Sequence, residues 1–564
     1  MQKKWWHDKV AYQIYPKSFY DSNGDGIGDL CGIISKLDYL KDLGIDIIWI
    51  SPVYPSPMVD NGYDISDYYG IDPRFGTMED MDRLIEEAKK RDMAIIMDLV
   101  VNHCSNEHEW FKKACEDPYG PYGKYFYIRE MKDQKEPNNW RSVFGGSVWE
   151  KLPGNEDLCY LHFFAPEQPD LNWENPLLRE EIYKMINFWL DKGIAGFRID
   201  AIINIKKDLT WEDLPVDGPD QRSYVGNSID RLIDRDGGTK DGIGVFLREL
   251  RERCFTPHDS FTVGEVFNMR KELMEEFIGK DGYFSSMFAF ETIQSYKKGN
   301  CWYDYDRNMD PDQWKKAVFE SQKLLSDNAF EATIIENHDQ PRGASLYIPR
   351  DEYGFASVSA LAGLQLLQRG IPFLYQGQEI GMTNCPFELE EYDDINTIDS
   401  YQFMIQMGRT PVQALDGCYR ESRDNTRTPM QWDDSENAGF TTGKPWLKVN
   451  PNYLDINVAK QEKEYGSILN YYKRLIAFRK SKEYGEILTW GSFEPMYENQ
   501  EKIFAFKRKL EEKELTVICN FSDSERFLVL KEDYSEVVFV NLPQVTRIGD
   551  NMILRPYQLI VVEK

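Results

Sequence analysis

The chain has 564 residues, too many for one ordinary domain, and its 41% hydrophobic and 29% charged residues are the balance of a globular protein. Its 95 acidic residues outnumber 67 basic ones, a formal charge of −28 that excludes nucleic acid as a partner and weighs against phosphorylated substrates. Nine cysteines without a CxxC pair read as reduced thiols in a cytoplasmic protein, and neither the start "MQKKWWHDKV" nor any run of about 18 apolar residues offers a secretory signal or a membrane span.

Strand-like apolar runs alternate with amphipathic helical patterns. The first predicted strand is "VAYQIYP" (10–16), and "DSNGDGIGDL" (21–30) follows it. There Asp21, Asn23, Asp25 and Asp29 place side-chain oxygens along a Gly-bearing turn, and such oxygens converge readily on a hard cation. The stretch begins like an EF-hand loop, but Gly32 stands where the bidentate Glu belongs and a strand precedes it, so it is not an EF-hand. On the residues alone, an Asp/Gly turn without metal stays open beside the calcium reading.

A helix is predicted around "ISKLDYLKDLG", then a strand in "IDIIWISP" (45–52), a helix in "MEDMDRLIEEAKKRD" and a strand in "MAIIMDLVV" (93–101). Residues 104–170, rich in Pro, Gly, Asn and Trp, break the rhythm as an excursion after the third strand. The helix "LLREEIYKMINFWLDKG" has Leu178, Ile182, Met185, Ile186, Trp189 and Leu190 on one face and leads into the strand "IAGFRIDA" (194–201). "SFTVGEV" (260–266), "YFSSMFAF" (283–290), "EATIIENHD" (331–339) and "IPFLYQGQEI" (371–380) complete eight strands. Strands mostly separated by helices close naturally as a parallel barrel, and near-continuous apolar strands fit burial on both faces. From residue 485 the pattern changes to short strands with turns between them: "KIFAFKRKL", "LTVICNFS", "RFLVLK", "EVVFVNL" and "QLIVVEK". The expected fold is α/β: a (β/α)8 TIM barrel over 1–103 and 171–484, an inserted B domain at 104–170, and a C-terminal antiparallel β-sandwich domain at 485–564.

Chemistry in such a barrel sits at the C-terminal ends of the strands. Asp98 and His103 follow the third strand, Arg198 and Asp200 close the fourth, Glu265 closes the fifth, and Asn337, His338 and Asp339 close the seventh. One carboxylate at a strand end is often a cap or half of a salt bridge. Several together are what glycoside hydrolysis needs, one carboxylate to attack or stabilise the anomeric carbon and another to protonate the leaving oxygen. Arg198, two residues before Asp200, shares its strand face and is placed to hold that carboxylate ionised. Glu265 lies between Val263 and Phe267, a setting that raises its pKa as a general acid requires.

The stretches "DLVVNHCS", "GFRIDAII", "FTVGEVF" and "ENHDQPR" resemble the four sequence regions of the α-amylase family, glycoside hydrolase family 13. "DNGYDISDY" (60–68), "QPDLNWENP" (168–176), "YQGQEIGMTN" (375–384) and "RDNTRTPMQWDDSENAGFTTGKPW" (423–446) resemble its oligo-1,6-glucosidase and α-glucosidase branch. The resemblance implies Asp200 as nucleophile, Glu265 as acid/base and Asp339 as the third carboxylate, gripping the sugar. It implies Asp98, His103, Arg198 and His338 around the −1 sugar, Tyr63 beneath its ring, and Asp60 and Arg427 clasping its far hydroxyls. That closed end favours exo-attack on a small oligosaccharide, with no nucleic-acid or membrane partner. In the first loop it implies a structural calcium ion, or magnesium, on Asp21, Asn23, Asp25, the carbonyl of Ile27, and Asp29. The expected activity is an α-glucosidase acting on short isomalto-oligosaccharides, with some α-1,4 activity.

One position departs from the branch. The residue after the nucleophile is usually Val in α-1,6 enzymes and Thr in α-1,4 enzymes, and here it is Ala201. The segment 295–311, with Lys297, Lys298 and Trp302, is a candidate for shaping the +1 side. Two alternatives resemble the chain. Sucrose isomerases carry an Arg-rich stretch before the seventh strand that "YDYDRNMD" (303–310) does not match. Transporter heavy chains have a membrane anchor and lack the full set of carboxylates.

Overall fold

The computed structural model describes residues 3–218, 220–228, 242–267, 271–293 and 309–564. Its centre is a ring of eight strands: β1 (Ala11–Ile14), β2 (Ile47–Ile50), β3 (Ala94–Val100), β4 (Gly196–Asp200), β5 (Phe261–Gly264), β6 (Ser286–Met287), β7 (Ala332–Thr333) and β8 (Ile371–Tyr375). Sequential strands pair in parallel, β8 returns to β1, and a parallel bridge between Phe288 and Ala332 joins β6 to β7. Nearly every strand residue is buried, as expected where helices cover the outside and side chains fill the inside. β6 and β7 have two residues each, much shorter than the runs 283–290 and 331–339, because backbone pairing stops where the chain turns toward the site. Gly196 lets β4 and β5 close up: a Cβ there would lie 1.8 Å from the Phe261 carbonyl oxygen.

The outer helices have conventional ends. The helix Met78–Lys90 starts with a Thr77/Asp80 capping box. The helix Pro176–Lys192 starts on Asn175 with Pro at its first position and stops on left-handed Gly193.

The excursion after β3 begins and ends at an antiparallel bridge between His103 and Asp170. Its strands Ile128–Glu130, Trp149–Leu152 and Asn155–Leu161 form a small antiparallel sheet. A later piece of chain joins it. Trp140–Arg141 pairs with Ser223–Tyr224, and Trp211, Leu214 and Val225 pack with Tyr127, Trp140, Trp149 and Phe163. This subdomain therefore draws on the loop after β4 as well as on 104–170.

The C-terminal region opens with a helix, Gly485–Trp490, rather than a strand. It continues as β9 (Ser492–Met496), β10 (Ile503–Leu510), β11 (Lys513–Asn520), β12 (Arg526–Val529), β13 (Glu536–Val540), β14 (Thr546–Ile548), β15 (Asn551–Leu554) and β16 (Leu559–Glu563). Five strands, in the order β9-β10-β11-β16-β13, face three, in the order β12-β15-β14. Ile503, Ala505, Ile518 and Ile560 pack between the sheets with Leu528, Met552 and Leu554. The alternate residues Phe504, Phe506, Val517, Cys519 and Val561 belong to the barrel's own core, the period-2 pattern of a sheet buried on both faces. Among the described residues, no helix is long and apolar enough to cross a membrane, and eight cysteines are free thiols.

Candidate active site

The register of β3 and β4 sets Asp98 beside Arg198 and Val100 beside Asp200. Arg198 has no exposed side-chain surface and lies among three carboxylates: 2.8 Å from Asp98, 2.7 Å from Asp200 and 3.0 Å from Glu265. Asp98 also accepts from the Tyr63 hydroxyl (2.9 Å) and the Trp49 indole (3.1 Å). The second oxygen of Glu265 accepts from the backbone N–H of Ala201 at 2.8 Å. Ala201 can offer that N–H because its φ is 42°, a left-handed turn forced on a residue with a Cβ.

One guanidinium cannot neutralise three buried carboxylates, so a proton belongs among them. Burial raises all three: Asp98 to about 6, Asp200 to about 7 and Glu265 to about 8, in each case against the pull of Arg198. Glu265 thus holds a proton to higher pH than Asp200, whose contact with Arg198 is the shorter of the two.

Asp339 has a different setting. His338 Nε2 lies 3.0 Å away, Arg427 2.9 Å and Arg423 3.3 Å. Burial acts against its ionisation, but His338 and the two guanidiniums hold it well below the usual carboxylate range. With His338 pushed down to about 4 by burial and hence neutral, the arginines supply that charge. The site opens on the three carboxylates: the side chains of Asp200, Glu265 and Asp339 are 11%, 9% and 26% exposed, whereas Asp98, His338 and Arg427 show none. The Tyr63 ring lies parallel to His338 at 5.3 Å and builds the wall beside them.

The closed end is held by a residue that sequence reasoning missed. Arg423 touches Asp60 at 3.1 Å, Asp339 at 3.3 Å and Asp394 at 2.6 Å. Arg427, expected beside Asp60, instead binds Asp339 and the His338 carbonyl. The signal was present, since Arg423 and Arg427 stand four residues apart in "RDNTR" and so share one side of a helical turn. Gln168 links Asp60 (3.2 Å) to His103 (3.1 Å). All the predicted catalytic and sugar-binding residues therefore stand in one network of hydrogen bonds and ion pairs. Lys207 was missed as well. Its buried ammonium meets Asp170 at 2.6 Å, Asn102 at 2.8 Å and the Asn204 carbonyl, pinning the insert to the ends of β3 and β4.

With this geometry in hand, the comparisons with known proteins decide the family. The α-amylase catalytic domain matches residues 13–491, and the C-terminal domain of the α-amylase SusG matches residues 503–561. The chain is a member of the α-amylase family of glycoside hydrolases. Oligo-1,6-glucosidase of Bacillus cereus is 43% identical over 572 residues, spanning 100% of this chain and 99% of its own. Glucan 1,6-alpha-glucosidase of Streptococcus pneumoniae is 42% identical over 567 residues, spanning 100% of both chains. The crystal structure of isomaltulose synthase from Klebsiella sp. LX3 superposes with a TM-score of 0.92 at 38% identity over 100% of both chains. The enzyme is thus a glycoside hydrolase, and two parts of it remain to be placed.

The first is the loop 21–30 of this α-amylase family member. Asp21 accepts from the N–H groups of Asn23, Gly24 and Gly26 and from the Thr441 hydroxyl. Asn23 accepts from Asp25 N–H, Asp25 from Ile27 N–H, and Asp29 from Ser22 and from Gly32 in the helix Leu30–Ser35. Among the described residues no three His, Cys, Asp or Glu side chains gather as a metal site. Asn23 and Asp25 accept one N–H each and keep lone pairs that suit a hard cation, whereas each carboxylate oxygen of Asp21 and Asp29 already takes two donors, which an ion would have to displace in part. The loop is also laced to 440–446. Asp21 N–H donates to the Phe440 carbonyl, Trp446 N–H donates to the Gly26 carbonyl, and Lys17 lies 3.6 Å over the Trp446 ring. Gly26 is required there: its φ is +94°, and a Cβ would lie 1.9 Å from the Lys444 carbonyl oxygen. The second part is the chain just after β5, where Phe267 stacks on Phe290 at 4.5 Å, two residues past Glu265. Lys297, Lys298 and Trp302 lie outside the described residues.

Proposed function

We propose that the enzyme is an exo-acting, retaining α-glucosidase that releases α-glucose from the non-reducing ends of short α-glucosides, isomalto-oligosaccharides foremost. The observation that carries this is the single Arg198 guanidinium shared by Asp200 and Glu265. A shared guanidinium keeps two carboxyl groups close, the arrangement of retaining glycosidases, whose pairs stand about 5–5.5 Å apart. Asp200 attacks the anomeric carbon as Glu265 gives its proton to the leaving oxygen. Glu265, now a carboxylate, then takes a proton from water, which displaces Asp200. Asp339, kept ionised by Arg423 and Arg427, grips ring hydroxyls, and the Asp60–Arg423 pair closes the far end against a longer chain. The names of the relatives support the α-1,6 preference. The test is NMR of the first product: α-glucose is expected before mutarotation, and β-glucose would overturn the mechanism.

A second reading is isomerisation or transglucosylation, favoured by the whole-chain likeness to isomaltulose synthase. Sucrose decides between them: isomeric disaccharides would support it, glucose with fructose the hydrolase. Free thiols and the absence of a spanning helix among the described residues support a cytoplasmic location.

Ala201 supports only weak linkage selection. An α-1,6 link sets the second sugar further away than an α-1,4 link, and a methyl group or two is worth about 1–3 kcal/mol, or roughly 10–200-fold. Measurable α-1,4 activity is expected beside α-1,6. Ala201→Val should raise the 1,6-to-1,4 ratio of kcat/KM on isomaltose and maltose, and Ala201→Thr should lower it. Both should also cost stability, because a β-branched residue is worse than Ala at a φ of 42°. Ratios agreeing within about twofold would show that other contacts select the linkage.

We further propose that the 21–30 loop binds calcium, with magnesium as its competitor, and that the ion supports stability rather than chemistry. A ligand bound only to the folded state stabilises it by mass action. Chelation is expected to lower Tm and to leave turnover well below Tm unchanged. An unchanged Tm with no ion by elemental analysis would leave a loop held by Thr441 and its own amides alone.

A further inference from the structure

Gln13 is the one amide in the first barrel strand, "VAYQIYP", and its side chain is 1% exposed. No step of the proposed reaction uses it. Its nitrogen lies 2.7 Å from His338 Nδ1 and 3.1 Å from the Ser51 hydroxyl. On the other edge of the imidazole, Nε2 lies 2.5 Å from the Tyr63 hydroxyl and 3.0 Å from Asp339.

The protons on this ring can be assigned by elimination. The Tyr63 O–H is committed to Asp98 at 2.9 Å, so toward His338 its oxygen is an acceptor. The Asp339 carboxylate is also an acceptor. Nε2 faces two acceptors and must carry a proton. Nδ1 then has two options. If Gln13 turns its N–H to it, Nδ1 is bare and the ring is neutral. If Gln13 turns its carbonyl, Nδ1 must be protonated and the ring is a cation. The other charged and titratable groups facing the ring are Arg198, Arg427 and Tyr15. The two arginines, and a ring with no exposed surface, oppose a second buried cation. The N–H orientation is therefore the consistent one.

We propose that Gln13 is a positioning residue that donates to Nδ1 and fixes His338 as the neutral, Nε2-protonated tautomer. The proton is thereby kept on the edge that meets Tyr63, Asp339 and the sugar. Through Tyr63 the same chain of donors reaches Asp98 and Arg198, so Gln13 orients from β1 a network whose acids lie on β3, β4 and the β7 loop. The kinetic consequence rests on the hydrolase reading above, whereas the tautomer does not.

The experiment uses the full chain with 15N-labelled histidine, in which His338 is one of six, assigned by its loss in a His338→Asn variant. At neutral pH, His338 is expected to show a bare Nδ1 and a protonated Nε2. Gln13→Glu has nearly the same shape but only accepts, and should protonate both nitrogens. In that variant kcat/KM on isomaltose should fall by about 10–100-fold, the range found when a partner that orients a metal-binding histidine is lost, and its pH profile should move. Gln13→Met, which offers Nδ1 neither donor nor acceptor, should leave Nε2 protonated between its two acceptors and lower kcat/KM less than Gln13→Glu does. A proton on Nδ1 in the native chain overturns the proposal whether or not the variants fold. So does a Gln13→Glu protein whose His338 signals and pH profile match the native ones. A native chain inactive on every glucoside would sink the hydrolase reading and leave the nitrogen signals to decide the tautomer.

Discussion

Asp200→Asn and Glu265→Gln are each expected to lower kcat on isomaltose by on the order of 10⁴-fold or more, because each removes a group that acts in the transition state. The two should differ with the leaving group. A nitrophenol departs without a proton, so the Glu265→Gln enzyme should keep much of its first step on an aryl glucoside, and the Asp200→Asn enzyme should not. The pH dependence follows from the same acids. Glu265 must be protonated to act, and burial raises it to about 8, so kcat/KM should fall as pH rises through that value. Asp200 must be ionised, and burial raises it to about 7 against Arg198, so the acid limb lies below. The two limbs belong to the interacting pair rather than to either residue alone. Loss of the basic limb in Glu265→Gln on the aryl substrate is the sharpest check. Near-native kcat in either variant would remove these residues from the chemistry.

Arg198→Met should be nearly as damaging, and for a different reason. It leaves Asp98, Asp200 and Glu265 buried without the cation they share. Breaking a buried pair costs about 3–5 kcal/mol, and the loss should depend on pH. Without the guanidinium, the folded-state pKa values of these acids rise further above their unfolded values. Stability is then fully present only below the ordinary carboxylate range, about pH 4, and is lost as pH rises through the raised values. Because the native acids are themselves raised to about 6, 7 and 8, denaturant unfolding should show a deficit against the native enzyme that begins to grow near pH 6 and is still growing above about pH 8. Arg198→Lys should fold better and still be nearly inactive, since a point charge cannot span the fork that reaches three carboxylates. A deficit that does not change with pH would mean that Arg198 acts by packing.

The barrel and its acids were legible because strand and functional residue are contiguous in the sequence. Asp98, Asp200 and Glu265 each end or directly follow an apolar run of fewer than ten residues, so periodicity and chemistry point to the same place. Arg423 was not legible in that way, since its partner Asp60 lies 363 positions away. Lys207 gave no signal either, because nothing local separates a buried ammonium from a solvated one. The loop after β4 lies outside the expected insert of 104–170, and it is the pairing of Trp140 with Ser223 and the packing of Trp211, Leu214 and Val225 that place it there. The left-handed turn at Ala201 was invisible because alanine carries no preference for it; a glycine there would have announced it.

The lacing of the first loop to residues 440–446 has a consequence for how the molecule is made. Asp21 and Thr441 are 420 positions apart, and at about 5–20 residues per second a ribosome needs roughly 20–85 s to deliver the second after the first. For most of that interval, until residue 375, β1 lacks its neighbour β8, and until residue 423 Asp60 and Asp339 lack their arginine. The rim of the pocket is thus the last part of the barrel to become possible. A chain halted before residue 423 would have all eight strands and Arg198 among its acids, yet leave Asp60 and Asp339 at the rim without the arginine that closes it.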